Sequence, residues 1–226
     1  METRSSNVDV GPVVGVPAAG AVLDGNLGIP EHALGIVLFA HGSGSSRFSP
    51  RNRLVAETLQ GAGLATLLID LLTSGEEAID RRTRHLRFDI DLLAGRLTGV
   101  TDWLLRDSRT HELNIGYFGA STGAAAALVA AARRPEAVGA IVSRGGRPDL
   151  ARDALGHVQA PTLLIVGGRD YAVIQMNQQA LDGLRVEKRM EIVAGATHLF
   201  EEPGALEEVA RLACDWFQHH LDTRSP

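Results

Sequence analysis

Five segments of strand length in this chain are apolar almost without interruption, and segments with helical spacing lie between them. Continuous apolar runs of this length are typical of strands that are buried on both faces of a sheet. The runs cover residues 35–40, 64–70, 113–118, 138–142 and 161–166. Their alternation with helices predicts an α/β fold with a mostly parallel, doubly wound sheet and helices on both faces.

The remaining predicted elements follow from spacing and from turn residues. Apolar residues recur at helical intervals, or strong helix formers accumulate, at 51–60, 90–104, 124–132, 173–184 and 206–221. Two short apolar segments, 8–14 and 19–23, are separated by Pro17 and Gly20 and predict a leading hairpin. No repeat or linker divides the chain, so we expect one domain over 1–226 with loose tails at 1–7 and 222–226.

Charge and cysteine content exclude several classes of partner. The net charge of -5 and the lack of a basic stripe argue against nucleic acid and against an anionic membrane surface. Only one cysteine, Cys214, is present, which excludes an internal disulfide and is compatible with a reducing compartment. No leader-like or membrane-spanning apolar segment is visible, so a cytoplasmic protein is expected.

The chemically most informative motif is Gly119-Ala-Ser121-Thr-Gly123, between the third apolar run and the alanine-rich helix. A strand that turns directly into a helix crowds the residue at the corner, so the residues two positions away must lack side chains. Gly119 and Gly123 meet that requirement. The motif predicts that Ser121 is a nucleophile, and the competing interpretation is a serine in an ordinary tight turn.

A serine hydroxyl needs a base and a carboxylate that orients the base. Asp170 directly follows the fifth apolar run, and His198 follows the short run 191–193. Both should therefore lie at the same sheet edge as Ser121, in the chain order of nucleophile-elbow enzymes. Asp170 can alternatively be a helix N-cap. Three other acids then remain as the partner of His198: Asp149, Glu201 and Glu202.

A Gly-rich turn, His41-Gly-Ser-Gly44, directly follows the first apolar run. Backbone N–H groups of such a turn can stabilise an oxyanion, and we assign this role to Ser43, with Gly44 as the alternate, together with Thr122. A phosphate-binding loop is the competing interpretation, but position 47 is arginine and no Gly-Lys-Ser/Thr follows. No histidine pair has metal-ligand spacing, so neither a metal nor a cofactor is predicted.

Together, the motifs at 41–44, 119–123, 167–170 and 195–198 resemble those of the α/β-hydrolase superfamily, and most closely its dienelactone-hydrolase-like branch. The resemblance covers residues 33–222. It implies an α/β-hydrolase fold and a triad of Ser121, Asp170 and His198. Enzymes that carry the name of the branch have a cysteine at the elbow, whereas this chain has Ser121, so a serine esterase is implied.

The function expected from these residues is hydrolysis of a carboxylic ester or lactone, a small-molecule substrate, through an acyl-serine intermediate. An acyltransferase or perhydrolase would use the same acyl-enzyme, and a non-catalytic binding protein could share the scaffold. Only residues 143–160 separate two strands where lidded relatives carry a cap, so we expect an open site flanked by 73–88. Arg144 and Arg147 could hold an anionic group of a substrate or pair with surface acids. The oligomeric state stays open.

Overall fold

The structure, a computed structural model, describes residues 10–222. Its strands are β1 (Val13–Ala18), β2 (Ala21–Gly28), β3 (Ile36–Ala40), β4 (Ala65–Ile69), β5 (Ile115–Ala120), β6 (Val138–Arg144), β7 (Thr162–Gly167) and β8 (Lys188–Val193). Its α-helices are α1 (Pro50–Gly61), α2 (Ser74–Thr83), α3 (Ile90–Leu104), α4 (Thr122–Arg133), α5 (Tyr171–Gly183) and α6 (Ala205–Leu221), and two 3₁₀ segments cover Leu86–Phe88 and Pro148–His157. The predicted loose tails, 1–7 and all but the first residue of 222–226, lie outside the described residues.

All eight strands form one sheet in the order β1-β2-β4-β3-β5-β6-β7-β8. The six strands β3 to β8 run parallel, and only β1 and β2 are antiparallel to their neighbours. Helices α3 and α4 cover one face, whereas α1 and α6 cover the other. This is the α/β-hydrolase arrangement, so the predicted fold is confirmed.

The central strands explain why the apolar runs were so continuous. Every residue of β3, β4, β5 and β7 is buried, because helices cover both faces of the sheet. Phe39 and Phe118 pack on the α1/α6 side with their ring centroids 4.9 Å apart. On the opposite side the small side chains of α4 allow that helix to lie close to the sheet. The rigid centre therefore holds the ends of β3 and β5 together.

The leading hairpin exists, but its predicted bounds were wrong. The turn lies at Ala19 and Gly20, which have φ angles of 45° and 78° and so join two antiparallel strands tightly. Pro17 lies inside β1 rather than between the strands, because β1 is the edge strand and a missing N–H is tolerated there. Residues 8 and 9 of the predicted first segment lie outside the described residues.

Helix α2 and the two 3₁₀ segments had not been predicted. Helix α2 has no apolar stripe, but Thr73 and Glu76 form a capping box at its start. The 3₁₀ segment Pro148–His157 is the only regular secondary structure in the connection between β6 and β7. The described residues therefore contain no cap domain, as expected from the short connection. Between residues 10 and 222 no helix is both long and apolar enough to cross a membrane.

Candidate active site

Ser121 stands at a strained corner between β5 and α4. Its φ and ψ angles are 50° and -121°, a region that residues with side chains rarely adopt. A Cβ on Gly119 would lie 2.8 Å from the Ala124 nitrogen, and one on Gly123 would lie 2.5 Å from the His41 carbonyl oxygen. The two glycines of the motif are therefore required by close backbone packing. Because the corner directly follows β5, Ser121 lies at the carboxyl edge of the sheet.

Asp170 and His198 meet at the same edge. Asp170 follows β7 and His198 lies on the loop after β8, and the Nδ1 of the imidazole is 2.6 Å from Oδ2 of the carboxylate. The carboxylate is 16% exposed and the imidazole 40% exposed. A carboxylate at this distance fixes the ring orientation and keeps the proton on Nδ1, so that Nε2 is the nitrogen available as a base.

The loop 144–147 connects the serine to the histidine. The Ser121 N–H donates to the Arg144 carbonyl at 3.3 Å, and the Arg147 N–H donates to the Ser121 carbonyl at 3.0 Å. On its other side, a Cβ on Gly145 would lie 3.6 Å from Cε1 of His198. Within residues 10–222 no hydrogen bond joins the Ser121 hydroxyl to His198. The two residues instead border the same loop.

The Gly-rich turn lies directly beside the serine. A Cβ on Gly42 would be 3.1 Å from the Cβ of Ser121. The two predicted oxyanion donors are the N–H groups of Ser43 and Thr122. The Ser43 N–H donates at 2.9 Å to the hydroxyl of Thr122. Thr122 is the first residue of α4, where backbone N–H groups have no partner within the helix. The structure thus brings both predicted donors together, with the Ser43 N–H already engaged.

His41 holds this turn in place, a role that the sequence had not revealed. Its Nε2 accepts the Leu71 N–H at 3.1 Å, and its Nδ1 is 3.0 Å from the Gly42 carbonyl, to which it donates. Burial lowers the pKa of the imidazole, which keeps it neutral and able to accept on Nε2. The residue type was the available signal, since a histidine directly after a buried strand needs hydrogen-bond partners for both of its ring nitrogens.

The competing interpretations of the acid can now be compared with the contacts. Asp170 occupies the N-cap position of α5, but its side chain makes no capping hydrogen bond. Each of the three alternative carboxylates has another partner: Asp149 binds Arg147 at 2.8 Å, Glu201 binds Arg51 at 3.0 Å, and Glu202 accepts the Thr197 N–H at 3.0 Å. Glu202 thus shapes the histidine loop, and its bond to Thr197 lowers its pKa.

A buried asparagine in α5 holds the loop 144–147 in place through a hydrogen bond. Asn177 is fully buried, and its Nδ2 donates to the Gly146 carbonyl at 3.0 Å and to the Val173 carbonyl at 2.8 Å. In the sequence Asn177 was only one position of a helical pattern. An asparagine on the buried face of a helix requires polar partners, so the residue type was the available signal.

The segment 73–88 borders the Gly-rich turn. Asp80 is fully buried and accepts the Leu86 N–H at 2.7 Å and Nε of Arg87 at 2.5 Å, which folds the segment back on itself. A Cβ on Gly44 would lie 3.2 Å from Nη1 of Arg87. A polar cleft of about 730 Å³ opens between the turn and α2, lined by His41, Ser45, Arg47, Thr73, Glu77 and Arg81 among others.

Comparison with known proteins places this geometry in a family. The sequence model of the dienelactone hydrolase family matches residues 23–223. A crystal structure of dienelactone hydrolase from Anabaena variabilis is 67% identical and superposes with a TM-score of 0.92, over 93% of this chain and 97% of that one. Est1E from Butyrivibrio proteoclasticus shares the fold at 16% identity, with a TM-score of 0.77 over 92% of this chain and 98% of that one.

A protein of Mycobacterium tuberculosis that carries the provisional name phosphoribosyl transferase is 61% identical over 208 residues. The match covers 92% of this chain and 46% of that protein. The chain therefore spans about half the length of the curated relatives that it matches.

Proposed function

We propose that this chain, which belongs to the dienelactone hydrolase family, is a serine hydrolase that cleaves a carboxylic ester or lactone. The observation that carries the proposal is the 2.6 Å contact between His198 and Asp170 beside the strained Ser121 corner. These three residues are 49 and 28 positions apart in the chain and come from three different loops at one edge of the sheet.

In the proposed reaction the Ser121 hydroxyl attacks the carbonyl carbon of the ester. His198 takes the hydroxyl proton on Nε2, and Asp170 stabilises the resulting imidazolium through Nδ1. The tetrahedral intermediate collapses when the bond to the leaving alcohol breaks and His198 returns the proton to the alcohol oxygen. Water then attacks the acyl-serine with His198 again as base, which releases the acid and regenerates Ser121.

The Gly-rich turn and α4 support charge stabilisation on the carbonyl oxygen. The Thr122 N–H is at the N-terminus of α4, where the helix dipole favours negative charge. The Ser43 N–H would turn from the Thr122 hydroxyl to the oxyanion as charge develops. Since the hydroxyl is a weaker acceptor than an alkoxide, this exchange favours the transition state over the free enzyme.

The residues around the site favour a substrate whose portion next to α2 is small and polar. The cleft between the Gly-rich turn and α2 contains the carboxylates of Asp24, Asp70 and Glu77 and the guanidinium groups of Arg47 and Arg81. An alcohol leaving group or a hydroxylated acyl chain fits such a lining better than a long alkyl chain does. The connection between β6 and β7 adds no cap over Ser121.

A panel of p-nitrophenyl esters and simple lactones tests the proposal. We expect turnover by the wild-type protein and none above background by Ser121→Ala. The exposed Ser108 lies on the loop after α3, so Ser108→Ala serves as the matched control and should retain full turnover. Product analysis with and without an added alcohol distinguishes hydrolysis from acyl transfer. Turnover by Ser121→Ala at the wild-type rate would overturn the assignment of the nucleophile.

A further inference from the structure

The outer edge of β8 has no neighbouring strand in the part of the chain that the structure describes. β8 is the last strand of the sheet and pairs with β7 alone. The carbonyl of Val193 accepts the N–H of Gly168, directly after β7, so Val193 points its backbone groups toward that strand. This direction alternates along a strand. The outward N–H and C=O groups are therefore those of Lys188, Met190 and Ile192, and they are available to another strand.

Prolines and bulges usually protect an edge strand from further pairing, and β8 has neither. At the opposite edge of the sheet, β1 contains Pro17, which lacks the N–H that a further strand would bind. β8 contains no proline, and its register with β7 is continuous, so no bulge bends it. The Lys188 side chain turns back to donate to the Leu184 carbonyl at 2.7 Å, and Ile192 is 43% exposed. Another strand can therefore extend the sheet at β8.

Two charged side chains of β8, Arg189 and Glu191, point to one face of the sheet. Val193 packs into the core covered by α1 and α6, and side chains alternate along a strand, so both residues lie on the same face as Val193. They bind each other, with Nε of Arg189 donating to Oε1 of Glu191 at 2.5 Å. Clefts of about 540 and 400 Å³ open between β8 and α6, the first lined by Glu191 and the second by Arg189. This face therefore presents one charge of each sign to an adjoining strand.

The order of these charges selects one register for the pairing of two β8 strands. A two-fold axis makes the strands antiparallel, and the outward-pointing residues then form the hydrogen-bonded pairs. With the axis at Met190, Arg189 lies opposite Glu191 of the second copy on each side of the axis. Lys188 then meets Ile192. An axis at 188, 189 or 191 would place two lysines, two arginines or two glutamates opposite each other. An axis at Ile192 would leave the first half of β8 unpaired.

We propose that β8 binds β8 of a second copy of this chain, antiparallel about Met190, and so joins the two sheets into one. The outward backbone groups of both strands supply the hydrogen bonds. The pairs between Arg189 and Glu191 fix the register, because complementary charges contribute specificity. They also favour a second copy over an unrelated strand, since the charge pattern of β8 matches itself. β8 lies three strands from β5, so this surface is separate from the Ser121 corner and does not depend on the proposed function.

The first experiment measures the mass of the assembly by light scattering after size-exclusion chromatography. The chain has a mass of 24.0 kDa. We expect the measured mass to double as the protein concentration rises from about 1 to about 200 µM. Met190→Pro removes an outward N–H that β7 does not use, so it should preserve the fold and keep the protein monomeric. A wild-type monomer at every concentration, with the edge free or bound to another protein, would overturn the proposal, and so would a dimer that persists in Met190→Pro.

Charge variants keep the test decisive if Met190→Pro fails to fold. Arg189→Glu places acidic side chains opposite each other, so the dissociation constant of the dimer should rise at least tenfold, roughly. The double variant Arg189→Glu/Glu191→Arg restores unlike pairs and should recover the dimer. Arg109→Glu is the matched control, because Arg109 is an exposed, paired arginine on the loop after α3. An unchanged dissociation constant in Arg189→Glu, or no recovery in the double variant, would contradict the register.

The second experiment locates the two-fold axis by disulfide cross-linking in a Cys214→Ser background, which removes the native thiol. Met190→Cys places two thiols on the axis, where the Cα atoms of a hydrogen-bonded antiparallel pair are about 5.5 Å apart, within the range of a disulfide. Mild oxidation should therefore link this variant into a covalent dimer. Ile192→Cys is the matched control, because it faces Lys188 and its own symmetry mate is about 14 Å away along the strands. Cross-linking of Ile192→Cys instead of Met190→Cys would overturn the proposed pairing.

Discussion

The hydroxyl of Thr122 accepts a 2.9 Å hydrogen bond from the Ser43 N–H across 79 positions of the chain. It ties the Gly-rich turn after β3 to the first turn of α4, at the place where the oxyanion is expected. The bond uses a donor that catalysis would need. In the proposed mechanism the side chain of Thr122 competes with the substrate for the Ser43 N–H, and in the free protein it holds the turn in place.

Replacing this hydroxyl should separate stability from catalysis. Thr122→Val keeps the shape of the side chain but leaves the Ser43 N–H without its acceptor, so the free energy of unfolding should fall by about 1–3 kcal/mol. Because the donor no longer has to leave a partner, kcat/KM should rise a few-fold. Thr122→Ser retains the hydroxyl and is the control. A tenfold loss of kcat/KM in Thr122→Val would show that the hydroxyl positions the donor.

The carboxylate partner of His198 can be identified by comparing isosteric amides. Asp170→Asn should lower kcat by up to about 10⁴-fold, because the amide favours the wrong tautomer of the imidazole. Glu201→Gln and Asp149→Asn should have small effects, since those carboxylates bind Arg51 and Arg147 instead. Steady-state kinetics of the three variants decide the matter. A mild Asp170→Asn with a severe loss in either of the others would refute the assignment.

The elbow glycines can be tested against a glycine that has free space around it. A Cβ on Gly123 would overlap the carbonyl oxygens of Ala40 and His41, so Gly123→Ala should destabilise the protein by about 1–3 kcal/mol. Gly95 lies inside α3 with nothing within 4 Å of a Cβ, so Gly95→Ala should stabilise it by about 0.5–1 kcal/mol. Urea unfolding measures both. Equal effects of the two substitutions would contradict the packing described for the elbow.

The half-buried, neutral His41 should make stability dependent on pH. Its pKa in the folded protein lies below the ordinary value of about 6.5, so below that pH the unfolded chain binds more protons. The stabilising contribution is therefore complete above about pH 6.5 and is lost as the pH falls toward the folded pKa. The difference in unfolding free energy between wild type and His41→Gln should narrow from pH 7.5 to pH 5.5. A constant or widening difference would contradict a neutral His41.

The sequence was sufficient for the fold because the strongest signals were local. Continuous apolar runs marked the buried strands β3 to β7, and the Gly119–Gly123 spacing reflected a backbone contact that no other residue type permits. The same reasoning placed Asp170 and His198 after strands, and the structure brings their side chains together. Their catalytic roles stay predictions.

The features that escaped prediction depend on partners distant in the chain or on weak local patterns. Helix α2 lacks an apolar face, and Ile79 is 47% exposed, so periodicity could not reveal it. The capture of the Ser43 N–H by Thr122 depends on how two loops meet, and no spacing encodes it. Arg144 and Arg147 looked equivalent in the sequence, whereas in the structure only Arg147 finds a carboxylate.

The central claim is that Ser121 is an activated nucleophile, and covalent labelling tests it most directly. Intact-protein mass spectrometry after treatment with a fluorophosphonate should show a single adduct on the wild-type protein, which peptide mapping locates at Ser121. Ser121→Ala should show none, and His198→Ala should react far more slowly, because the hydroxyl is weak without its base. An unlabelled wild-type protein, or an adduct that persists in Ser121→Ala, would contradict the account.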